Sequence, residues 1–241
     1  MSRTFVIGDI HGALKALTQI LERIVPAKED RLIFLGDYVD GWSQSAGVIE
    51  YLIQLENEFL CIFLKGNHDT WCEAWLLGRS PDPAWLFHVG QSTVESYRLY
   101  SDQQRQRHLA FFNRMYNHYI DEQNRLYVHA GFTSALGPQH NPDGNYWDRT
   151  LWEAALAAND KASETGGRYP KKLWLFKEIY IGHTPTLNYG SDMPMKGCNV
   201  WNLDTGAAYY GRLSAMDTDT KEVFQSDIVQ GLYPGEKGRN K

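Results

Sequence analysis

Six side chains on glycine-flanked turns could do chemistry together: Asp9, His11, Asp37, Asn67, His129 and His183. They sit in Gly8-Asp9-Ile10-His11-Gly12, Gly36-Asp37-Tyr38-Val39-Asp40-Gly41, Gly66-Asn67-His68-Asp69, Leu126-Tyr127-Val128-His129-Ala130-Gly131 and Gly182-His183-Thr184-Pro185. A short apolar run precedes each ligand: Thr4 to Ile7, Leu32 to Leu35, Leu60 to Leu64, Leu126 to Val128 and Ile179 to Ile181. Such a run predicts a strand, and a strand that ends at a ligand delivers it to a sheet edge, where open α/β folds build their sites. Carboxylate, imidazole and amide donors gathered there suit two metal ions. Two dications about 3.5–4 Å apart can activate a water and neutralise phosphoryl oxygens. Asp9 and His11, one residue apart, can share one ion. Asp37, at the next strand end, is the natural bridge, and Asn67, His129 and His183 complete a neutral O/N set for the second ion. His68 follows Asn67 directly and would stand beside the phosphate, with Asp40 placed to accept a hydrogen bond from its ring.

In this order, the segments resemble the calcineurin-like metallophosphoesterases. The resemblance is narrower to the phosphoprotein-phosphatase branch with its bacterial and phage relatives, which includes the symmetrical diadenosine tetraphosphate hydrolases. It runs from about Thr4 to Ala208. It implies the same six ligands, and it implies that His68 and Asp40 form a general-acid dyad, the carboxylate holding the imidazole ready to protonate the leaving oxygen. Pro185, where the broader phosphodiesterases have a second His, agrees with the phosphoprotein branch. One departure stands out. The family motif Gly-Asp-x-Val-Asp-Arg-Gly carries a phosphate-gripping Arg, and here Gly41 and Trp42 follow Asp40. Arg149, in Trp147-Asp148-Arg149-Thr150-Leu151-Trp152, is the expected substitute, with Arg168, Arg125 and the arginines of 105–114 behind it. Asp204-Thr205-Gly206 reads as a turn supporting the floor of the site.

The elements that must hold these residues follow from periodicity. Leu14, Leu17, Ile20, Leu21 and Ile24 predict a helix over 13–24, and Val48, Ile49, Leu52, Ile53 and Leu55 predict a second, with Ser43 or Ser45 as its cap. This βαβα order implies parallel strands with helices on the faces. A helical, aromatic-rich stretch covers 71–124, with Leu109, Phe112, Tyr116 and Tyr119 as one packing stripe. Turn residues, a short helix near Leu151 to Asn159 and a mobile loop at Ser163 to Gly167 fill 133–176. Three strands, Cys198–Leu203, Ala207–Met216 and Lys221–Gln225, are expected as antiparallel hairpins of a second sheet. The expected architecture is one α/β domain over 1–233, a four-layer α/β/β/α sandwich with helical cap elements within 71–124 and 133–176, and a disordered tail over 234–241. His88, His108, His118 and His140 lie outside every motif and read as surface or packing residues.

Composition narrows the partners. The 241 residues suffice for one large domain, and Lys plus Arg at 24 against Asp plus Glu at 29 gives a net charge of −5. That balance argues against nucleic acid and anionic membranes as partners. Three separated cysteines, Cys61, Cys72 and Cys198, no apolar run of membrane length and a first strand close to Met1 point to a cytoplasmic protein without a leader. The expected function is metal-dependent hydrolysis of phosphoric esters by a metal-bridging hydroxide. A phosphorylated protein of the serine/threonine type is the first substrate class, and symmetrical cleavage of a dinucleoside tetraphosphate is the alternative. The aromatic cap could serve stacked adenines or simply pack. A non-catalytic binding module is the reading from another class, and the full set of ligands and dyad residues weighs against it. Manganese is the first metal, with iron, zinc or magnesium behind it, because mixed Asp/His/Asn ligation suits several borderline ions.

Overall fold

The computed structural model describes residues 2–161 and 170–240. Two five-stranded mixed sheets face one another. The first contains β1 (Thr4–Ile7), β2 (Arg31–Phe34) and β3 (Leu60–Phe63), all parallel, with α1 (Leu14–Ile24) and α2 (Ser45–Leu55) as the crossovers. Leu17, Ile20, Leu21 and Ile24 form the buried stripe of α1, and Val48, Ile49, Leu52 and Leu55 that of α2. Neither serine caps α2 with its side chain. The Ser45 hydroxyl accepts from the Asp40 N–H, and the Ser43 hydroxyl donates to Glu236.

Beyond β3 come α3 (Asn67–Leu76), α4 (Pro83–Trp85), a π-turn at Leu86–Gly90, α5 (Gln91–Ser96) and α6 (Asp102–Asn113). The second sheet has the order β4 (His118–Ile120), β5 (Arg125–Val128), β6 (Glu178–Ile181), β8 (Val200–Asn202) and β7 (Met195–Gly197), with β5, β6 and β8 parallel. Helix α7 (Thr150–Lys161) lies between β5 and β6 in sequence. The chain then returns to the first sheet as β9 (Ser214–Asp217), antiparallel to β1, and β10 (Val223–Gln225), and ends after α8 (Val229–Leu232).

Three apolar clusters separate four layers. Ile7, Leu32, Phe34 and Phe63 pack outward against α1, α2 and Phe111 and Phe112 of α6. Val6, Ile33, Leu64, Tyr127, Tyr180 and Met216 fill the space between the sheets. Leu126, Val128, Ile179 and Val200 pack against Leu151, Trp152 and Ala155 of α7. This is the α/β/β/α sandwich that the strand–helix alternation implies.

Four expectations change. The last strands do not form one antiparallel sheet: β8 joins β6 in parallel, while β9 and β10 extend the first sheet. The Thr205–Arg212 segment turns at Gly206 and Gly211 and carries the chain across between the sheets, so local hairpin signals misassign the partner. The helices of 71–124 form part of the outer layer of the first sheet, because Cys72, Tyr97, Phe111 and Phe112 are buried in its core. Only their edge reaches the site. Tyr116 and Tyr119 are off the α6 stripe, since α6 stops at Asn113 and Tyr119 belongs to β4. The tail is ordered against the body: Glu236 accepts from the Ser43 N–H and hydroxyl, and the Arg239 N–H donates to the Ala208 carbonyl at 2.8 Å. The Ser163–Gly167 loop lies outside the described residues.

Candidate metal centre

All five ligand-bearing segments leave the C-terminal ends of parallel strands, Asp9 and His11 after β1, Asp37 after β2, Asn67 after β3, His129 after β5 and His183 after β6. The two sheets present these ends to one another, and all six side chains are buried. Asp37 stands at the centre. Its Oδ2 lies 3.6 Å from His11 Nε2, and its Oδ1 lies 3.4 Å from His129 Nε2. One carboxylate therefore offers one oxygen to each of two clusters, His11–Asp37–His68 and Asp37–His129–His183. Asn67 Oδ1 approaches His129 Nε2 at 3.2 Å and His183 Nδ1 at 2.9 Å. Asp9 Oδ2 accepts from the His183 N–H at 3.0 Å and lies 3.9 Å from His11 Nε2.

The donor set fits two cations. His11 Nδ1 faces the carbonyls of Val39 (3.1 Å) and Asp40 (2.9 Å), and His129 Nδ1 faces the Leu35 carbonyl (2.8 Å). Carbonyls only accept, so each Nδ1 carries the proton and each Nε2 lone pair points into the site, as outer hydrogen bonds orient metal-binding imidazoles. Asp9 Oδ1 and His183 Nε2 are buried with no hydrogen-bond partner among the described residues. Burial and then Asp204 raise the Asp9 carboxyl well above the usual carboxylate range. Burial would push the His129 imidazole down, yet Asp37 beside it holds it up at about 10. Crowded carboxylates at one end, and at the other an Asp37 charge strong enough to hold a proton on His129, are the negative field that dications, taking that proton's place, would neutralise.

The backbone that aims these ligands is strained. His11, Asp37, Asp40 and His183 have φ of 52°, 53°, 69° and 67°, in the left-handed region, which costs a non-glycine residue about 1–2 kcal/mol. A buried network holds them there. The N–H groups of Ile10 and His11 donate to the Asp37 carbonyl, and the Asp69 carboxylate accepts from the N–H groups of Asp37 (2.8 Å), Tyr38 (2.9 Å) and Gly66 (2.8 Å). A Cβ on Gly66 would collide with Asp37 Oδ1, so glycine is required where this turn meets the Asp37 carboxylate.

His68 and Asp40 meet as expected, Nδ1 to Oδ2 at 2.6 Å. Trp85 Nε1 donates to the same oxygen at 2.6 Å, and the Thr93 hydroxyl donates to the other at 2.5 Å. The carboxylate is thus clamped from three sides. The second nitrogen of His68 turns toward a cavity of about 380 Å³ above Asp37, Asn67 and His183. Trp71, Trp85, Trp147 and Tyr209 form its aromatic walls, Trp71 and Trp147 meeting edge to face at 5.1 Å.

Arg149 lines this cavity and donates to Thr184 Oγ1 at 3.1 Å, on the His183 side. Among the described residues, the other arginines considered from sequence do not line it. Arg125 opens β5 at the end opposite His129 and bonds Thr218 and Asp219; Arg105 bonds the carbonyls of Tyr97 and Tyr100; Arg107 and Arg114 pair with Glu50 and Glu56. Arg168 lies outside the described residues. Of the motif-free histidines, His108 is a packing residue between Tyr97 and Glu50, and the side chain of His88 lies outside the described residues. Two cavity residues escaped the sequence reading of the site's chemistry. Asp204 is buried, and burial pushes it up to about 6. It follows β8, a sixth parallel strand end, so the same strand-then-ligand signal was there to be used. Arg239 comes from the tail and carried no such signal.

Comparison with known proteins places this geometry. The chain is 25% identical over 229 residues, 88% of each chain, to an asymmetrical bis(5'-nucleosyl)-tetraphosphatase PrpE of Geobacillus thermodenitrificans. Its fold matches the crystal structure of a putative diadenosine tetraphosphatase, with TM-score 0.61 and 19% identity over 93% of this chain and 92% of that one. It also matches a Saccharomyces cerevisiae protein serine/threonine phosphatase with similarity to human PP5, with TM-score 0.63 and 14% identity over 100% and 84% of the two chains. The model of the calcineurin-like phosphoesterases matches residues 2–210, most of the chain, and this protein accordingly belongs to that family of metal-dependent hydrolases.

Proposed function

We propose that this enzyme hydrolyses the phosphoanhydride of a dinucleoside polyphosphate, using Asp9, His11, Asp37, Asn67, His129 and His183 to hold two divalent ions. The observation that carries this reading is the pair Trp71 and Trp147, with Tyr209, in the same cavity as the ligand clusters, Arg149 and His68. Nucleobases stack on such rings, each stack contributing about 1–3 kcal/mol. The names of relatives at 25–27% identity support the asymmetrical mode of cleavage. When bound, the ions supply an activated water and neutralise phosphoryl oxygens. The chain does the rest. Asp37 spaces the two clusters, His68 delivers a proton to the leaving oxygen, and Asp40, held by Trp85 and Thr93, orients that ring. Arg149 binds a phosphate oxygen. Manganese is the first metal proposed, and the cytoplasm the setting.

A phosphoserine or phosphothreonine side chain is the second reading, favoured by the Gly182-His183-Thr184-Pro185 ending that resembles the phosphoprotein branch. Diadenosine tetraphosphate, a phosphoserine peptide and p-nitrophenyl phosphate, assayed in parallel with Mn²⁺, Zn²⁺, Mg²⁺ and Fe²⁺, separate the two. The proposal expects the dinucleotide to give the highest kcat/KM and to yield ATP plus AMP. Equal production of two ADP would reverse the cleavage mode, and a preference for the peptide would move the function to the second reading.

A further inference from the structure

The space beside Gly41, where the family motif has its arginine, is filled in this chain by another arginine. A Cβ built on Gly41 would lie 3.7 Å from Arg239 Cγ. The Arg239 guanidinium reaches past it into the cavity, where Nη1 donates to His68 Nε2 at 3.2 Å, a contact that a phosphate taking up the guanidinium would release, leaving that nitrogen to carry its proton. Resting on the phosphoryl-hydrolysis reading above, we propose that Arg239, carried in by the C-terminal segment, is a second phosphate-binding arginine of this enzyme beside Arg149 and complements Gly41 in place of a local side chain.

The surrounding residues form a matched set for this arrangement. Gly41 has φ +124°, and a side chain there would press on the His11 carbonyl at 3.0 Å, so this backbone could not easily present its own arginine. Trp42, next in sequence, is buried, donates from Nε1 to the Ala207 carbonyl and stacks on Tyr233 with centroids 5.2 Å apart. That stack seats the start of the segment. Glu236 binds Ser43 twice, and Gln230 donates to the Glu236 carbonyl. Gly238, at φ +56°, passes Trp42 so closely that a Cβ would lie 2.6 Å from Cζ2. The next residue, Arg239, is pinned by its N–H on Ala208, and its guanidinium lies over the Tyr209 ring at 5.3 Å. The segment thus enters along a fixed track and ends with a cation at the atom of His68 that faces the substrate. Arg149 lines the same cavity, bonded to Thr184 beside His183. Two guanidinium groups in one cavity supply enough cationic donors for more than one phosphoryl group.

Inorganic phosphate is the probe, titrated calorimetrically into metal-loaded protein, alongside kinetics on diadenosine tetraphosphate. Arg239→Ala should weaken phosphate binding and kcat/KM by about ten- to a hundred-fold, with metal content unchanged. Arg239→Lys should recover part of the loss, because it restores charge without the bidentate fork. Lys237→Ala, an exposed change in the same segment, should match wild type. Phosphate binding by Arg239→Ala as tight as wild type overturns the inference, as does a gain of activity, which would make the segment a plug. Loss of metal along with phosphate also overturns it, because Arg239 would then only support the ligands. Wild-type protein that binds phosphate but cleaves no substrate would remove the proposed function and leave the role of Arg239 standing.

Discussion

Asp37 concentrates the chemistry in one side chain, because its two oxygens face different imidazoles while its own backbone is held by Asp69. Asp37→Asn should therefore lower bound metal from two equivalents toward one or none, with turnover reduced by several orders of magnitude. Elemental analysis finding two equivalents and normal activity would take Asp37 out of the bridge. His68→Ala makes the opposite prediction: both ions stay, and turnover falls by about 10²–10⁴-fold on poor leaving groups but much less on p-nitrophenyl phosphate, whose leaving group hardly needs a proton. An equal loss on both substrates would contradict a proton-donor role. Arg149→Ala removes a charged contact of on the order of 1.5–3 kcal/mol, so kcat/KM should drop by about ten- to a hundred-fold while KM rises. The convergence of the six candidate ligands was legible at this scale because each signal is local: an apolar run, a glycine and a donor occupy a short stretch of consecutive residues. Arg239 was not, because its counterpart, Gly41, lies at the other end of the chain and only folding brings them together.

Elements carry the next set of consequences. Parallel β1, β2 and β3 could be read from alternation because each crossover helix shows its buried stripe in sequence. The destinations of β9 and β10 could not, since pairing with β1 is decided by burial of Val6 and Met216 between the sheets and not by any local pattern. One junction of these elements lends itself to a pH test. Asp30, between α1 and β2, is buried and accepts from the N–H groups of Arg3 (2.7 Å) and Ala27 (2.9 Å) and from the Arg3 guanidinium. Burial works against its charge, but the bonds from Arg3 and Ala27 win and hold the carboxyl below the usual carboxylate range. A depressed carboxylate stabilises the fold above its unfolded pKa, and that contribution disappears as pH falls through the lower folded value. Asp30→Asn should thus cost about 1–3 kcal/mol at neutral pH. In denaturant titrations the gap from wild type should hold constant down to about pH 4 and close below it. A gap that persists unchanged in acid would mean the loss is one of packing.

For the whole molecule, the site is where the two sheets meet. Residues following β1, β2 and β3 on one side and β5, β6 and β8 on the other converge on a few buried charges, so metal binding should stabilise both halves of the sandwich at once. At a metal concentration about a hundred times Kd, the linkage contributes about 2.7 kcal/mol, which for a domain of this size shifts Tm by roughly 5–10 °C. Chelation should remove that shift in wild type and in Arg149→Ala, and should change little in Asp37→Asn; no shift in wild type would argue against a metal centre formed by these residues. The left-handed backbone at His11, Asp37, Asp40 and His183 has a consequence for descent. Glycine at any of these positions, or asparagine in place of either histidine, would relax the chain by on the order of 1 kcal/mol, so each present residue persists only while turnover is under selection. In a lineage freed from that demand, drift toward greater endurance would erase the catalytic residues first and leave the sandwich intact. A descendant that kept this architecture but carried glycines at those turns would be recognisable as a retired enzyme, and should outlast the metal-stripped form of the working one on heating.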